Sequence, residues 1–127
     1  MKPLTVQEAN IGKTLTAGIV NTLAEKKAKR ITVLYTEKIT SICSYLIICE
    51  GTSSTHIVTL ADKVKEKLEN SGFPCIHFDG RKDDKWVALD FGQVILHIFD
   101  RETREFYDIE KLWRDAENVT GNFSPEF

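Results

Sequence analysis

Apolar residues recur at every fourth position at Ile11, Leu15, Ile19 and Leu23, with Val20 and Ala24 beside them. That spacing predicts an amphipathic helix over residues 5–27. The pattern then changes to short apolar runs. Ile31–Tyr35 reads as a strand, and Tyr45–Cys49 as a second one, so uniformly apolar that both its faces are expected to be covered. Residues 36–44 connect them with room for one helical turn. A second helical period follows at Ile57, Leu60, Ala61, Val64 and Leu68, and Asn70-Ser71-Gly72 supplies its stop.

Phe73–Phe78 reads as a third strand and residues 79–85 as a polar loop. Trp86–Asp90 and Gln93–Phe99 are apolar runs, the second richer in β-branched residues, and Phe91-Gly92 between them predicts a β-hairpin. Two turns fit. A two-residue type I′ turn sets Trp86 opposite His97, Ala88 opposite Ile95 and Asp90 opposite Gln93, although it places Phe91 at an uncomfortable positive φ. A type I turn with a glycine bulge shifts that pairing by one residue. Beyond Phe99 the chain is charged, with a short helix expected near residues 107–114. The order βαβ followed by a hairpin predicts an α/β fold with a mixed sheet of about five strands and helices packed on it. Residues 1–117 read as a single domain and 118–127 as a flexible C-terminal tail.

A length of 127 residues suits one domain, and 42% hydrophobic with 28% charged residues is the balance of a globular chain. No apolar run is long enough to span a bilayer, no secretory signal opens the chain, and Cys43, Cys49 and Cys75 form no CxxC pair. An odd count of this kind points to reduced, buried thiols and a cytoplasmic location. The net charge of −2 hides an asymmetry: residues 1–30 carry six basic and two acidic side chains, residues 79–117 seven basic and eleven acidic. A face built from the second segment repels phosphate backbones and attracts a basic protein surface, so little direct nucleic-acid binding is expected. Lys26, Lys27, Lys29 and Arg30 cluster at the end of the first helix, where cations complement the helix dipole.

Gly51-Thr52-Ser53-Ser54 at a strand-to-helix junction is the strongest local candidate for a ligand site, because free N–H groups at a helix start can hold an anion. The simpler reading has Thr52 or Ser53 capping the helix and Gly51 making the turn. A similar Gly-Ser turn opens nucleotidyltransferase active sites, where paired carboxylates downstream bind metal ions. Here Asp62–Glu66 lies inside a helix, and the adjacent Asp83 and Asp84 point to opposite sides of an extended chain. His56, His77 and His97 have no ligand spacing, and no GxSxG turn presents a nucleophile. No catalytic set, metal or other cofactor is expected. Residues 101–113 differ: Phe106, Tyr107 and Trp113, with Ile109 and Leu112, exceed what one short helix must bury and alternate with Arg104, Glu105, Asp108 and Glu110. Aromatic residues and Arg at a surface are the usual anchors of a protein interface.

Four blocks, Ile47-Ile-Cys-Glu-Gly-Thr-Ser53, Trp86-Val-Ala-Leu-Asp-Phe-Gly92, Val94-Ile-Leu-His-Ile-Phe99 and Arg104-Glu-Phe-Tyr-Asp-Ile-Glu-Lys-Leu-Trp113, resemble the Iojap or ribosomal silencing factor family in order and spacing. The resemblance covers about residues 19–117. It departs at Ser54, where an acidic residue is usual, and at Cys49-Glu50, where Cys-Ser is common. The resemblance implies a nucleotidyltransferase-like fold without transferase activity. It further implies a factor that binds the large ribosomal subunit through a ribosomal protein at the intersubunit face, blocks joining of the small subunit and so represses translation. Carried over position by position, it implies partner contacts at Trp86, Leu89, Asp90, Phe91, His97, Arg104, Tyr107 and Asp108. The acidic, aromatic segment makes a basic ribosomal protein the natural counterpart. The alternative is a nucleotide-binding or nucleotidyltransferase-like enzyme using Gly51–Ser54, and an exposed hairpin edge would allow a homodimer.

Overall fold

The computed structural model describes residues 6–80 and 85–123, the side chains of residues 6–9 excepted. Helix α1 (Val6–Glu25) is followed by strands β1 (Lys29–Tyr35) and β2 (Tyr45–Glu50), helix α2 (Ser54–Asn70), and strands β3 (His77–Asp79), β4 (Trp86–Asp90) and β5 (Val94–Phe99). The chain continues through α3 (Arg101–Tyr107), α4 (Ile109–Leu112), β6 (Glu117–Asn118) and α5 (Thr120–Phe123). The sheet is mixed and has six strands in the order β3-β4-β5-β2-β1-β6, one more than expected. β2 and β5 are parallel at its centre, and the other neighbours are antiparallel. All six residues of β2 are buried: the apolar run Tyr45–Cys49 requires it for five, and Glu50 is held there by arginine partners.

Both long helices lie on one face. The five residues of the helical period in α2, Ile57, Leu60, Ala61, Val64 and Leu68, are its five buried residues, with Val58 half-buried beside them. Leu15, Ile19, Val20 and Leu23 of α1 join them over Val33, Ile47, Cys49, Val87, Leu89, Leu96 and Ile98. Each helix ends in paired bonds back to its last turn. In α2 the N–H groups of Gly72 and Phe73 donate to the carbonyls of Glu69 and Leu68, with Gly72 at φ +92°. In α1 Lys27 and Ala28 donate to Ala24 and Leu23, and Lys27 takes the left-handed place at φ 67°. A lysine in a position that glycine usually fills explains why the sequence pattern runs past the end of α1.

The hairpin differs from both expected registers. Gly92 and Gln93, not Phe91 and Gly92, form the connection, since the Phe91 N–H donates to the Val94 carbonyl at 2.9 Å. Only Gly92 needs a positive φ, so Phe91 remains extended and its side chain reaches the core at 6% exposure. Trp86 is therefore opposite Phe99 and Ala88 opposite His97. The shift from the two-residue expectation is two residues, which preserves the face of every side chain. The hairpin edge is not free either, because β3 pairs with β4. β3 is shorter than expected. Pro74 has no N–H to offer a ladder, and pairing starts only where Ile76 N–H donates to the Asp90 carbonyl.

The C-terminal part also departs from expectation. Residues 101–107 are helical, capped by Asp100, whose carboxylate accepts from the Thr103 N–H at 2.8 Å. Asp108, at φ 44° and ψ 53°, separates α3 from α4. The tail expected from residue 118 is docked as far as Phe123: Glu117 and Asn118 pair with β1, Val119 is buried, and the Phe123 ring meets Tyr45 edge-on at 5.6 Å. An apolar Val and Phe find space beside β1 that the short polar segment did not reveal. Asp83 and Asp84 lie outside the described residues.

Candidate functional site

On the face away from α1 and α2, helices α3 and α4 cover only part of the sheet. Leu34, Cys43, Leu46, Ile48, Phe99 and Ile109 form a small second core there, with Trp86, Ile95, Trp113 and Ala116 packed on its margin. Alternation along β4 and β5 explains the division. Val87, Leu89, Leu96 and Ile98 point to the long helices, while Trp86, Ala88, Asp90, Ile95 and His97 stay half-buried on the other side.

The open area is aromatic. Trp86 stacks on Phe99 with ring centroids 4.8 Å apart, and lies 5.0 Å from Tyr107 and 5.7 Å from His97. Tyr107 in turn meets Phe106 edge-on at 5.0 Å. The indole N–H of Trp86 donates to Nδ1 of His97 at 2.9 Å. Burial of the imidazole disfavours its charged form and pushes its pKa down to about 4. Phe106 is 81% exposed, Leu112 79% and Tyr107 54%. Isolated exposed apolar residues are ordinary, whereas here the rings form a continuous run that passes from solvent into a half-covered sheet.

Arg104 holds this surface from behind. It is 3% exposed, and its guanidinium donates to Glu110 at 2.7 Å, the Arg30 carbonyl at 2.7 Å, Glu50 at 3.1 Å and the Thr32 hydroxyl at 3.1 Å. One side chain thus joins α3 to β1, β2 and α4. Arg30 adds an ion pair to Glu50 at 3.2 Å. A buried charge persists only when paired and hydrogen-bonded in this manner.

The expected contact residues therefore separate into two groups. Trp86, Asp90, His97, Tyr107 and Asp108 lie on or beside the half-open face. Leu89, Phe91 and Arg104 are buried, the first two beneath the long helices, and support the surface without reaching it. Ala88, Ile95 and Phe106 extend the accessible patch. Period-two alternation, counted back from Trp86 and His97, would have marked Ala88 and Ile95.

At the Gly51 turn the simpler reading accounts for the geometry. The Ser53 hydroxyl caps α2 by accepting from the His56 N–H at 3.0 Å. The Thr52 N–H donates to His56 Nδ1 at 2.9 Å, His56 Nε2 donates to the Lys26 carbonyl, and the Gly51 N–H is bonded to the Phe99 carbonyl. A side chain at Gly51 would strike Ile57, whose Cγ1 would lie 2.6 Å from the added Cβ. The thiols of Cys43 and Cys49 are buried and raised in pKa by that burial, Cys49 to about 12. Among the described residues no group of three His, Cys, Asp or Glu side chains could hold a metal ion, and no helix is long and apolar enough to cross a membrane.

Comparison with known proteins gives a consistent result. The family model described as "Ribosomal silencing factor during starvation" matches residues 9–126. The "Ribosomal silencing factor RsfS" of Halalkalibacterium halodurans is 32% identical over 100 residues, which span 79% of this chain and 86% of that protein. "Mitochondrial assembly of ribosomal large subunit protein 1" of Mus musculus is 31% identical over 98 residues, spanning 75% of this chain and 43% of that protein. A crystal structure of a protein from Chromobacterium violaceum aligns with a TM-score of 0.78 at 30% identity, covering 91% of this chain and 90% of that one. The family match runs along almost the entire chain, and this chain belongs to the ribosomal silencing factor family.

Proposed function

We propose that this chain is a non-enzymatic, cytoplasmic translation regulator. It binds the large ribosomal subunit through a basic ribosomal protein at the intersubunit face and blocks joining of the small subunit. The observation that carries this reading is the half-open sheet face, where exposed Phe106 and Tyr107 continue into half-buried Trp86 and His97. Asp90 on the half-open face and Asp108, next to Tyr107, add acidic groups beside the rings, while Glu105 is already paired with Arg101 and Arg30. Rings supply buried area on docking, and the acidic border suits a basic partner better than a phosphate backbone. The family membership and the names of the relatives support a ribosomal partner, and the mouse relative's name specifies the large subunit.

The mechanism requires occupancy alone. A rigid α/β domain seated on the face where the small subunit must dock excludes it sterically. Trp86, Asp90, His97, Tyr107 and Asp108 make the contact, and Leu89, Phe91 and Arg104 keep it in shape. Sedimentation with purified large subunits tests the reading: the chain is expected to co-sediment and to suppress subunit reassociation, and a folded Trp86→Ala variant to do both less. Absence of wild-type co-sedimentation at moderate salt refutes it. The Gly51–Ser54 turn favours no second reading, because its cap and two of its N–H groups are engaged within the chain. A calorimetric titration with nucleoside triphosphates and magnesium is expected to give no heat.

A further inference from the structure

The half-open face holds a polar group of fixed chemistry that the fold itself leaves unused. An indole N–H can only donate, so the 2.9 Å contact from Trp86 obliges His97 Nδ1 to accept. The ring hydrogen must then sit on Nε2. A doubly protonated ring would oppose one N–H with another across that contact. Flanking rings hold the plane, with Trp86 5.7 Å and Phe99 6.1 Å from the imidazole centroid.

The Nε2 donor meets no acceptor among the described residues. Among the described residues the buried side-chain atoms without a partner are Thr16 Oγ1 and Gln93 Oε1; His97 Nε2 is not one of them, and solvent reaches it. His56 provides the contrast. Both of its nitrogens are bonded within the fold, to Thr52 and to Lys26, as befits a structural histidine.

We infer that His97 is a specificity-determining donor: Trp86 locks its tautomer so that Nε2–H is presented to an oxygen acceptor on the docked partner. The inference rests on the proposed docking function and names the chemistry of one contact within it. The acceptor is an uncharged carbonyl or hydroxyl oxygen. Asp90 shares this face with His97, which favours an uncharged oxygen there over a second carboxylate. A partner that placed a methyl group against Nε2 would strand a desolvated donor and be rejected for that reason. Trp86 accordingly has two tasks, as an aromatic anchor and as a positioning residue for its neighbour.

Two measurements test this. Long-range ¹H–¹⁵N correlation on histidine-labelled protein at neutral pH is expected to show His97 with its hydrogen on Nε2 and a bare Nδ1. Trp86→Phe retains a ring without the N–H and is expected to let the imidazole redistribute between tautomers. In co-sedimentation with purified large subunits, His97→Gln, whose amide N–H reaches the place of Nε2, is expected to bind within about threefold of wild type. His97→Leu, which has no donor, is expected to bind roughly tenfold more weakly, with thermal melts showing both variants folded. A dominant Nδ1–H tautomer, or His97→Leu binding within about twofold of wild type, overturns the inference while the docking function stands. Failure of the wild-type chain to bind overturns both.

Discussion

Replacing Arg104 by Met tests the buried network that fixes α3 and α4 to the sheet. Met approximates the stem of the side chain and removes its charge, so the change isolates the guanidinium. Four acceptors lose their donor: the Glu50 and Glu110 carboxylates, the Arg30 carbonyl and the Thr32 hydroxyl. Glu50 suffers most. It is 5% exposed and would keep only Arg30, whose own side chain is 52% exposed. Removing one partner of a buried ion pair costs about 3–5 kcal/mol, a large share of the roughly 5–15 kcal/mol that holds a domain together. With an unfolding entropy of about 2.1 cal/mol/K per residue, a chain of this length should lose roughly 10–20 °C in Tm. Urea denaturation and calorimetry measure the loss. Hydrogen exchange at residues 101–112 shows whether the helices first detach locally. The companion Arg104→Met/Glu50→Leu should recover part of the loss, since no carboxylate is then stranded. A single-variant loss below about 1 kcal/mol together with unchanged exchange over α3 and α4 would refute the assignment of Arg104 as their fastener.

Three further outcomes follow from the geometry. Burial lowers the His97 pKa from 6.5 to about 4, so the unfolded chain takes up the proton first as pH falls. The stabilisation is complete above about pH 6.5 and is lost as pH falls toward 4, amounting to about 3 kcal/mol at roughly 1.4 kcal/mol per pH unit. Urea titrations across that interval should show a slope that His97→Gln removes, and equal slopes would exclude this histidine as its source. Gly51→Ala should destabilise by about 1–3 kcal/mol, read by Tm, because the new methyl meets fully buried Ile57. Phe106→Ala should leave stability within about 0.5 kcal/mol yet weaken large-subunit binding about tenfold, and unchanged binding would remove Phe106 from the contact.

Much of the scaffold is legible in the sequence because burial along a regular element repeats with that element's own period. The five apolar residues that follow the helical period in α2 are the five it buries, and the unbroken run of β2 lies at the centre of the sheet. The aromatic surplus after Phe99 was also visible as a surplus, since a short helix offers little area to bury. Local sequence could not assign those rings. Phe106 and Leu112 project into solvent, while Ile109 and most of Arg104 disappear beneath the same two short helices. The separation depends on Asp108, whose left-handed backbone turns α4 against the sheet.

The sequence by itself therefore determined the two long helices, the central strands, the hairpin and the family, all carried by patterns within a few consecutive residues. Tertiary structure alone decided the hairpin register, the sixth strand and the division of the expected contacts into those on the surface and those beneath it. The physical reason is that exposure and charge burial depend on what packs against a residue from elsewhere in the chain. Arg104 reads as a surface charge until Glu50, Thr32 and the Arg30 carbonyl, all more than 50 positions away, close around it.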